Sequence, residues 1–131
     1  MSRDDRRGAW NHADVIVEHA LLPVKAGQEA EFESAFGQAK TIIAGMPGFR
    51  SLTLSRCIER PETYLLLVEW ERLEDHTEGF RGSVQYQRWR EMLHHFYEPF
   101  PLVEHFLHVD AVEVVAAAPS SARSSFARNA P

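Results

Sequence analysis

Apolar residues in this chain change their spacing in a fixed order, and that order restricts the fold more than any other feature. Four segments combine β-branched and apolar residues in the manner of strands, and they span residues 14–22, 49–58, 62–70 and 102–114. Two segments with helical spacing, 27–45 and 83–96, follow the first and the third strand. The order β-α-β-β-α-β predicts a ferredoxin-like α+β fold, in which both helices cover one face of an antiparallel sheet.

Local signals mark the element boundaries. The turn Gly45-Met46-Pro47-Gly48 ends the first helix, since glycine and proline both interrupt regular structure. Ser83 is the predicted N-cap of the second helix. A short helical segment from Leu73 to Phe80 is expected just before it.

Length and composition indicate a single domain. The 131 residues are enough for one domain with a modest core, which we expect over residues 14–115. Residues 1–13 are polar and charged, and residues 116–131 are rich in Ala, Ser and Pro without a period. We expect the N-terminal tail to be disordered or extended and the C-terminal tail to be disordered.

The charge balance excludes some classes of partner. A formal net charge of −5 argues against nucleic acid and against an anionic membrane, because both select for basic patches. The single cysteine, Cys57, cannot form a disulfide within the chain, which fits a reducing compartment. No apolar run has the length of a membrane span, and the N-terminus lacks the apolar middle of a signal peptide. We therefore expect a cytoplasmic protein.

Three strands carry a glutamate inside an apolar run, in VIVEHALL, YLLLVEWE and PLVEHFLH. Strand alternation assigns to the helix-facing side the residues Val15, Val17, Leu21, Tyr64, Leu66, Val68, Trp70, Val103, Leu107 and Val109. Glu18, Glu69 and Glu104 then fall on the other face, which is still largely apolar. Such a face needs a cover, and the simplest is a second copy of the sheet, so we expect a homodimer.

The sequence motifs of the core resemble those of a known protein family. The run VIVEHALLPVKAGQEAEFESAF, followed by MPGFRSLTLSR and YLLLVEWERLEDHTEGFRGSVQYQRW, resembles the antibiotic biosynthesis monooxygenase family over about residues 14–110. Its most telling pieces are Pro47-Gly48-Phe49, Glu69-Trp70-Glu71, and Phe80-Arg81-Gly82-Ser83 leading to Tyr86 and Trp89. The resemblance implies a dimeric α+β barrel with a ligand cavity between each sheet and its helices or within the barrel. The family includes oxygenases that need no metal or flavin, and haem-degrading enzymes.

The chain departs from the haem-degrading members at their functional positions. Those members use an Asn on the first strand, a Trp before the last helix and a His within it. Matching through Gly27 and Ser83 places these positions at Ala20, Phe80 and Arg90, where all three residue types are replaced. Quinol-oxidising relatives often carry a His near Phe80, and that His is missing here as well. His76, one helical turn away, is the nearby imidazole that could substitute for it. We therefore expect no haem and no other cofactor.

The candidate catalytic residues are Glu18, Glu69, His76 and His105. The candidate substrate-binding residues are Ala20, Phe80, Trp89, Arg90 and Phe106. A carboxylate in a dry cavity has a raised pKa and can act as a general base. The structural alternative is that Arg50 and Arg56, or arginines of a partner, neutralise the glutamates.

The histidines admit two interpretations. His19 and His105 lie on strands that neighbour each other in this fold, so we expect them close together, either as helix-side residues with backbone partners or as proton-transfer groups. A metal site formed by His76, His105 and Glu69 is an alternative that rests on ligand type alone, and we predict no metal.

Two functions follow from these residues. The first, implied by the resemblance, is a cofactor-independent monooxygenase acting on a small phenol-like or quinol-like molecule. The second is a non-catalytic dimeric barrel that binds a small apolar ligand or serves only for association. An open pocket with a glutamate and an aromatic wall would favour the enzyme, whereas an interior filled by side chains would favour the second function.

Overall fold

The computed structural model describes residues 15–109 and 112–117. The strands are β1 (Ile16–Pro23), β2 (Phe49–Arg56), β3 (Thr63–Trp70) and β4 (Val103–Leu107), and the helices are α1 (Glu29–Ala44) and α2 (Val84–Leu93). A π-helix (Asp75–Phe80) precedes α2, and a 3-10 turn (His94–Phe96) follows it. The order β1-α1-β2-β3-α2-β4 confirms the predicted ferredoxin-like α+β fold.

The four strands form one antiparallel sheet in the order β2-β3-β1-β4. In this register Glu18 of β1 lies opposite Val68 of β3 on one side and His105 of β4 on the other. The predicted last strand reached residue 114, but β4 ends at Leu107. Its last partner is Ile16, the first residue of β1, so β4 ends where the neighbouring strand begins.

The core fills the space between the sheet and the helices. Helix α1 contributes Phe32, Phe36, Ala39 and Ile43, which are buried at the predicted helical spacing. Helix α2 begins as predicted at Ser83, whose hydroxyl accepts a hydrogen bond from the Tyr86 N–H at 3.1 Å. That capping bond satisfies one of the backbone donors that the first turn of a helix leaves unpaired.

A glycine holds the start of β2 against the π-helix. Gly48 adopts φ +87°, and a Cβ at this position would overlap the carboxylate of Asp75. The Asp75 carboxylate accepts a hydrogen bond from the Arg72 N–H at 3.1 Å, while the Glu71 N–H donates to the Gly48 carbonyl at 2.8 Å. The close approach therefore needs a residue without a side chain, and it fixes where the π-helix begins.

The faces predicted for β3 and β4 are correct, but the face predicted for β1 is wrong. The buried residues of β1 are Ile16, Glu18, Ala20 and Leu22, and these point to the helices. Both parities of β1 are apolar, so alternation alone gives no direction. Glu18 therefore lies on the helix-covered face, whereas Glu69 and Glu104 lie exposed on the opposite face, which we call the open face.

The tails fall largely outside the part of the chain that the structure describes. Residues 1–13 and 118–131 lie outside the described residues, whereas residues 112–117 are exposed and belong to no strand. Within residues 15–109 and 112–117, no helix is long and apolar enough to cross a membrane.

Candidate functional site

A partly open pocket of about 410 Å³ lies between the helix-covered face of the sheet and the segments that follow β3. Its lining residues are Glu18, Ala20, Leu22, Leu66, His76, Phe80, Arg81, Tyr86, Trp89, His94, Tyr97, Phe100, Pro101, Leu102 and Val103. Aromatic rings form much of the wall, and only a few ionisable groups reach the interior. This composition is typical of a site for a small, largely apolar ligand.

Glu18 is the carboxyl group of the pocket wall. It is only 5% exposed, and its Oε1 accepts a hydrogen bond from the indole N–H of Trp70 at 2.9 Å. Burial raises the pKa of Glu18, while the Trp70 hydrogen bond and the nearby Arg81 charge act in the opposite direction. The result is a positioned carboxyl group with a raised proton affinity, as a general base requires.

The π-helix places His76 directly beside Glu18. The backbone N–H of Arg81 donates to the His76 carbonyl at 3.1 Å, a bond that spans five residues and closes the wide turn. His76 Nε2 lies 3.4 Å from Glu18 Oε1, and its ring stacks on Trp70 with the ring centroids 5.5 Å apart. Burial, with Arg81 and His105 adding to it, lowers the pKa of His76 to about 3. The imidazole is therefore neutral at physiological pH, and its contact with Glu18 is not an ion pair.

His105 completes this cluster from the edge strand. Its Nε2 lies 2.8 Å from Nδ1 of His76. Burial and the positive charge of Arg81 lower the pKa of His105 as well. Glu18, His76 and His105 thus form a continuous polar line inside an otherwise apolar region.

Arg81 gives the pocket its positive charge. It follows the π-helix directly, lines the pocket and influences the pKa of all three members of the line. With neutral imidazoles beside it, the guanidinium is the group best suited to balance a negative charge on a bound ligand. Tyr97, also in the wall, has its pKa raised by burial first and by Tyr86 and Glu18 next, so its hydroxyl stays protonated.

The structure brings some of the predicted site residues together and separates others. Glu18 and His76 line the pocket, as do Ala20, Phe80 and Trp89 among the predicted substrate-binding residues. His105 stands behind His76 and does not line the pocket itself.

Three predicted residues lie away from this cluster. Glu69 and Phe106 are on the open face, where each pairs in register with Val17. Arg90 is on the exposed side of α2 and donates to Gln87 at 3.4 Å. The histidine that reaches the pocket from this part of the chain is His94, one helical turn further on.

The predicted neutralisation by arginines of the second strand is not observed. Arg50 lies 3.9 Å from Glu71, and Arg56 lies 3.5 Å from Glu33. The expected closeness of His19 and His105 is wrong, because Glu18 is the register partner of His105 and His19 points to the open face. There the His19 ring meets that of Phe106 at 5.5 Å between centroids.

The structure also separates the residues of the alternative metal site. Glu69 lies on the opposite side of the sheet from His76 and His105. Across residues 15–109 and 112–117, no three side chains of His, Cys, Asp or Glu are placed to hold one metal ion.

Comparison with known proteins identifies the family. The antibiotic biosynthesis monooxygenase profile matches residues 15–92, which is more than half of the chain. The chain belongs to the antibiotic biosynthesis monooxygenase family. The uncharacterized protein YczJ of Bacillus subtilis is 60% identical over 92 residues, which cover 70% of this chain and 97% of YczJ.

Solved structures of similar proteins share this fold. A Bordetella bronchiseptica protein that carries the family name is 34% identical, with a TM-score of 0.71 over 73% of this chain and 98% of its own. A Streptomyces coelicolor monooxygenase from the gene ActVA-Orf6, in complex with nanaomycin D, is 19% identical. Its TM-score is 0.65, over 80% of this chain and 94% of that one. At that identity the likeness shows the fold alone.

The sequence patterns do not predict several contributors to the site, among them Trp70, Arg81, His94 and Tyr97. Trp70 is predicted to face the helices, but its hydrogen bond to Glu18 is not predicted, because alternation places Glu18 on the other face. Arg81 lies inside the motif Phe80-Arg81-Gly82-Ser83, which suggests no role for it in the site. A basic residue beside the buried His76 and Phe80 is the signal that could have indicated it.

Proposed function

We propose that this protein is a cofactor-independent monooxygenase acting on a small phenol-like or quinol-like substrate. The observation that carries the proposal is the buried carboxyl group of Glu18 in the wall of a partly open, aromatic-lined pocket, with the guanidinium of Arg81 in the same wall. Family membership supports monooxygenase chemistry, and the Streptomyces coelicolor monooxygenase, which has the same fold, forms a complex with the small molecule nanaomycin D.

The proposed chemistry needs only the substrate and oxygen. Glu18 removes the phenolic proton, and the positive charge of Arg81 stabilises the phenolate that remains. The electron-rich phenolate then reduces O₂. For a phenol the balance is C₆H₆O + O₂ → C₆H₄O₂ + H₂O, in which one oxygen atom enters the ring and the other leaves as water. The substrate supplies all four electrons, so no external reductant is required.

The pocket supports this chemistry by its shape and its aromatic lining. Phe80 and Trp89 are nearly fully buried in its wall and give flat apolar surfaces for an aromatic ring. Excluding water strengthens the attraction between Arg81 and an anionic substrate and protects a reactive oxygen adduct. An open pocket with a glutamate and an aromatic wall is the arrangement that favours the enzyme over the non-catalytic alternative.

We further propose that the protein acts as a homodimer through its open face. That face carries exposed apolar residues, among them Leu21 at 44% and Phe106 at 51% exposure. The pocket opens on the other side of the sheet, so a second copy can cover the open face without filling the pocket.

The test is oxygen uptake with a panel of phenols and hydroquinones. Glu18→Gln keeps the shape and the Trp70 hydrogen bond but cannot accept the proton, so we expect turnover to fall by about 100-fold or more. Arg81→Gln should weaken binding of the substrate anion. The matched control is Glu91→Gln, an exposed carboxylate on α2 outside the pocket lining, which should behave as wild type.

Two further results bear on the alternatives. Glu69→Gln, assayed where the oligomer is intact, should retain oxygen uptake because Glu69 faces away from the pocket. Saturable binding of phenols without any oxygen uptake would instead favour the non-catalytic ligand-binding protein.

A further inference from the structure

Three ionisable side chains lie in a row from the pocket wall to the edge strand of the sheet. Glu18 lies in the wall, and its Oε1 is 3.4 Å from Nε2 of the buried His76. On the other side of that ring, Nδ1 of His76 is 2.8 Å from Nε2 of His105. His105 is half-buried on β4, the edge strand, and its Nδ1 has no hydrogen-bond partner among the described residues. We propose that Glu18, His76 and His105 form a proton relay that connects the pocket with solvent at the edge of the sheet.

The relay has two end states that differ only in where the protons are. In the first, the Glu18 carboxyl is protonated and faces Nε2 of His76, His76 donates from Nδ1 to Nε2 of His105, and His105 carries its own proton on Nδ1. In the second, Glu18 is ionised, His76 carries its proton on Nε2, and His105 donates from Nε2 to Nδ1 of His76. Both imidazoles are neutral in both states, as their buried positions require.

Passage between the states moves one proton out of the pocket. The Glu18 proton transfers to Nε2 of His76, the Nδ1 proton of His76 transfers to Nε2 of His105, and the Nδ1 proton of His105 leaves to water. The net change is one proton released and one carboxylate regenerated, with no imidazolium left behind. Both imidazoles are then in their second tautomers, so they return to their first tautomers by proton exchange with water before the relay carries another proton. The 3.4 Å separation of Glu18 and His76 exceeds the usual range of about 2.7 to 3.2 Å, so this link shortens when a proton passes.

The surroundings favour neutral imidazoles over a charged intermediate. Arg81 influences the pKa of all three groups, and His94 and Tyr97 line the same pocket as Glu18. Burial and Arg81 lower the pKa of both relay histidines, which disfavours a trapped imidazolium. A concerted shift between neutral tautomers avoids that species.

The relay deepens the proposed function, on which its use depends. If Glu18 takes the substrate proton, the carboxyl group must return that proton to solvent before the next turnover. A pocket occupied by an apolar substrate blocks direct exchange with water. The line through His76 and His105 gives the proton an exit behind the substrate.

The decisive experiment does not need activity. Long-range ¹H–¹⁵N correlation spectra of the uniformly labelled full chain report which nitrogen of each imidazole carries the proton, and ¹³C spectra report the ionisation of Glu18. Across the pH range in which Glu18 ionises, we expect His76 and His105 to exchange tautomers with the same midpoint as Glu18. Glutamine at position 105 can still bond to Nδ1 of His76 but cannot pass a proton on, so His105→Gln should slow the tautomer exchange of His76 and shift the pH midpoint of Glu18 ionisation.

The matched control is His108→Gln, which removes an exposed imidazole three residues further along, paired with Glu113 at 3.0 Å. This variant should leave the ionisation of Glu18 and the tautomer exchange of His76 and His105 unchanged. Fixed tautomers of His76 and His105 while Glu18 ionises would overturn the relay, and this is measured on the wild-type chain even if a variant fails to fold.

Oxygen uptake provides a second, separate readout. His105→Gln should lower kcat on the order of tenfold with little change in KM, and added imidazole should restore part of the loss. A kcat equal to wild type would overturn the relay even if the titrations were coupled. If no phenol supports oxygen uptake but the tautomers are coupled to Glu18, the proposed function fails and the relay stands.

Discussion

Trp70 donates its indole N–H to Glu18 Oε1 over 2.9 Å, although the two residues are not register partners in the sheet. The same indole ring stacks against the imidazole of His76 at an interplanar angle of 17°. One fully buried side chain therefore orients both the carboxyl group of the pocket and the imidazole beside it.

Trp70→Phe should both destabilise the fold and change the titration of Glu18. Phenylalanine keeps a ring in place but leaves a buried carboxyl group without its donor, a loss of about 1–3 kcal/mol in the free energy of unfolding. Because the indole hydrogen bond lowers the pKa of Glu18, its removal should raise that pKa further. Urea unfolding and ¹³C titration measure the two effects. The control Trp89→Phe removes packing without removing a hydrogen bond found in the described residues, so an equal Glu18 shift in both variants would contradict this account.

The stability of the fold should depend on pH through His76. Its pKa is about 3 in the folded protein, against 6.5 for the free group. Between these values the unfolded chain binds a proton that the folded chain excludes, so the free energy of unfolding falls as pH falls, by at most about 1.4 kcal/mol per pH unit. The raised pKa of Glu18 acts in the opposite direction, since its contribution is lost as pH rises.

Comparison with His76→Gln separates these two contributions, because Glu18 is present in both proteins. Denaturant unfolding from about pH 7 to about pH 5 should show the stability difference between wild type and variant shrinking as pH falls. His108→Gln should reproduce the wild-type dependence. If the stability difference between wild type and His76→Gln stayed constant over this pH range, folding would not lower the pKa of His76.

Two glycine-to-alanine changes should have opposite effects on the stability of the fold. Gly48→Ala requires a side chain at φ +87° and against the carboxylate of Asp75, so we expect a loss of about 1–3 kcal/mol in stability. Gly37→Ala falls inside α1, where a Cβ would meet nothing within 4 Å, so we expect a gain of roughly 0.5–1 kcal/mol. Thermal unfolding of the two variants checks the contrast, which would be lost if Gly48→Ala were as stable as wild type.

A charge on the open face should prevent association. Leu67 lies in the middle of β3 on that face, opposite His19, and Leu67→Arg would place a cation where we propose a second sheet. We expect analytical ultracentrifugation to show a dimer for the wild type and a monomer for the variant. The control Val84→Arg adds the same charge at a 79% exposed position on α2 and should remain dimeric. A wild-type monomer at micromolar concentration would contradict the proposed dimer.

The fold could be predicted from the sequence because each element carries its own signal. The helical spacing of Phe32 and Phe36, the capping Ser83 and the turn at Gly48 are local features, and the structure confirms what each indicated. The face of β3 followed from the alternation of Tyr64 and Trp70 with less buried neighbours.

The candidate site could be predicted only in part, because it depends on the direction of one strand. β1 is central in the sheet and apolar on both sides, so its periodicity does not distinguish Glu18 from His19. That error separated Glu18 from His105 in the prediction. The contact of His76 with both residues also depends on the π-helix, whose wide turn has no recognised signature in sequence.

The edge position of β4 has a consequence for how the protein is inactivated. Five residues and a single neighbouring strand hold β4 on the sheet, whereas β1 and β3 are bonded on both sides. Local unfolding begins where such bonds are fewest, and β4 carries His105. Fraying of this strand would withdraw one imidazole from the buried line while the rest of the domain stays folded. Mild heat or denaturant should therefore inactivate the site well before the core unfolds.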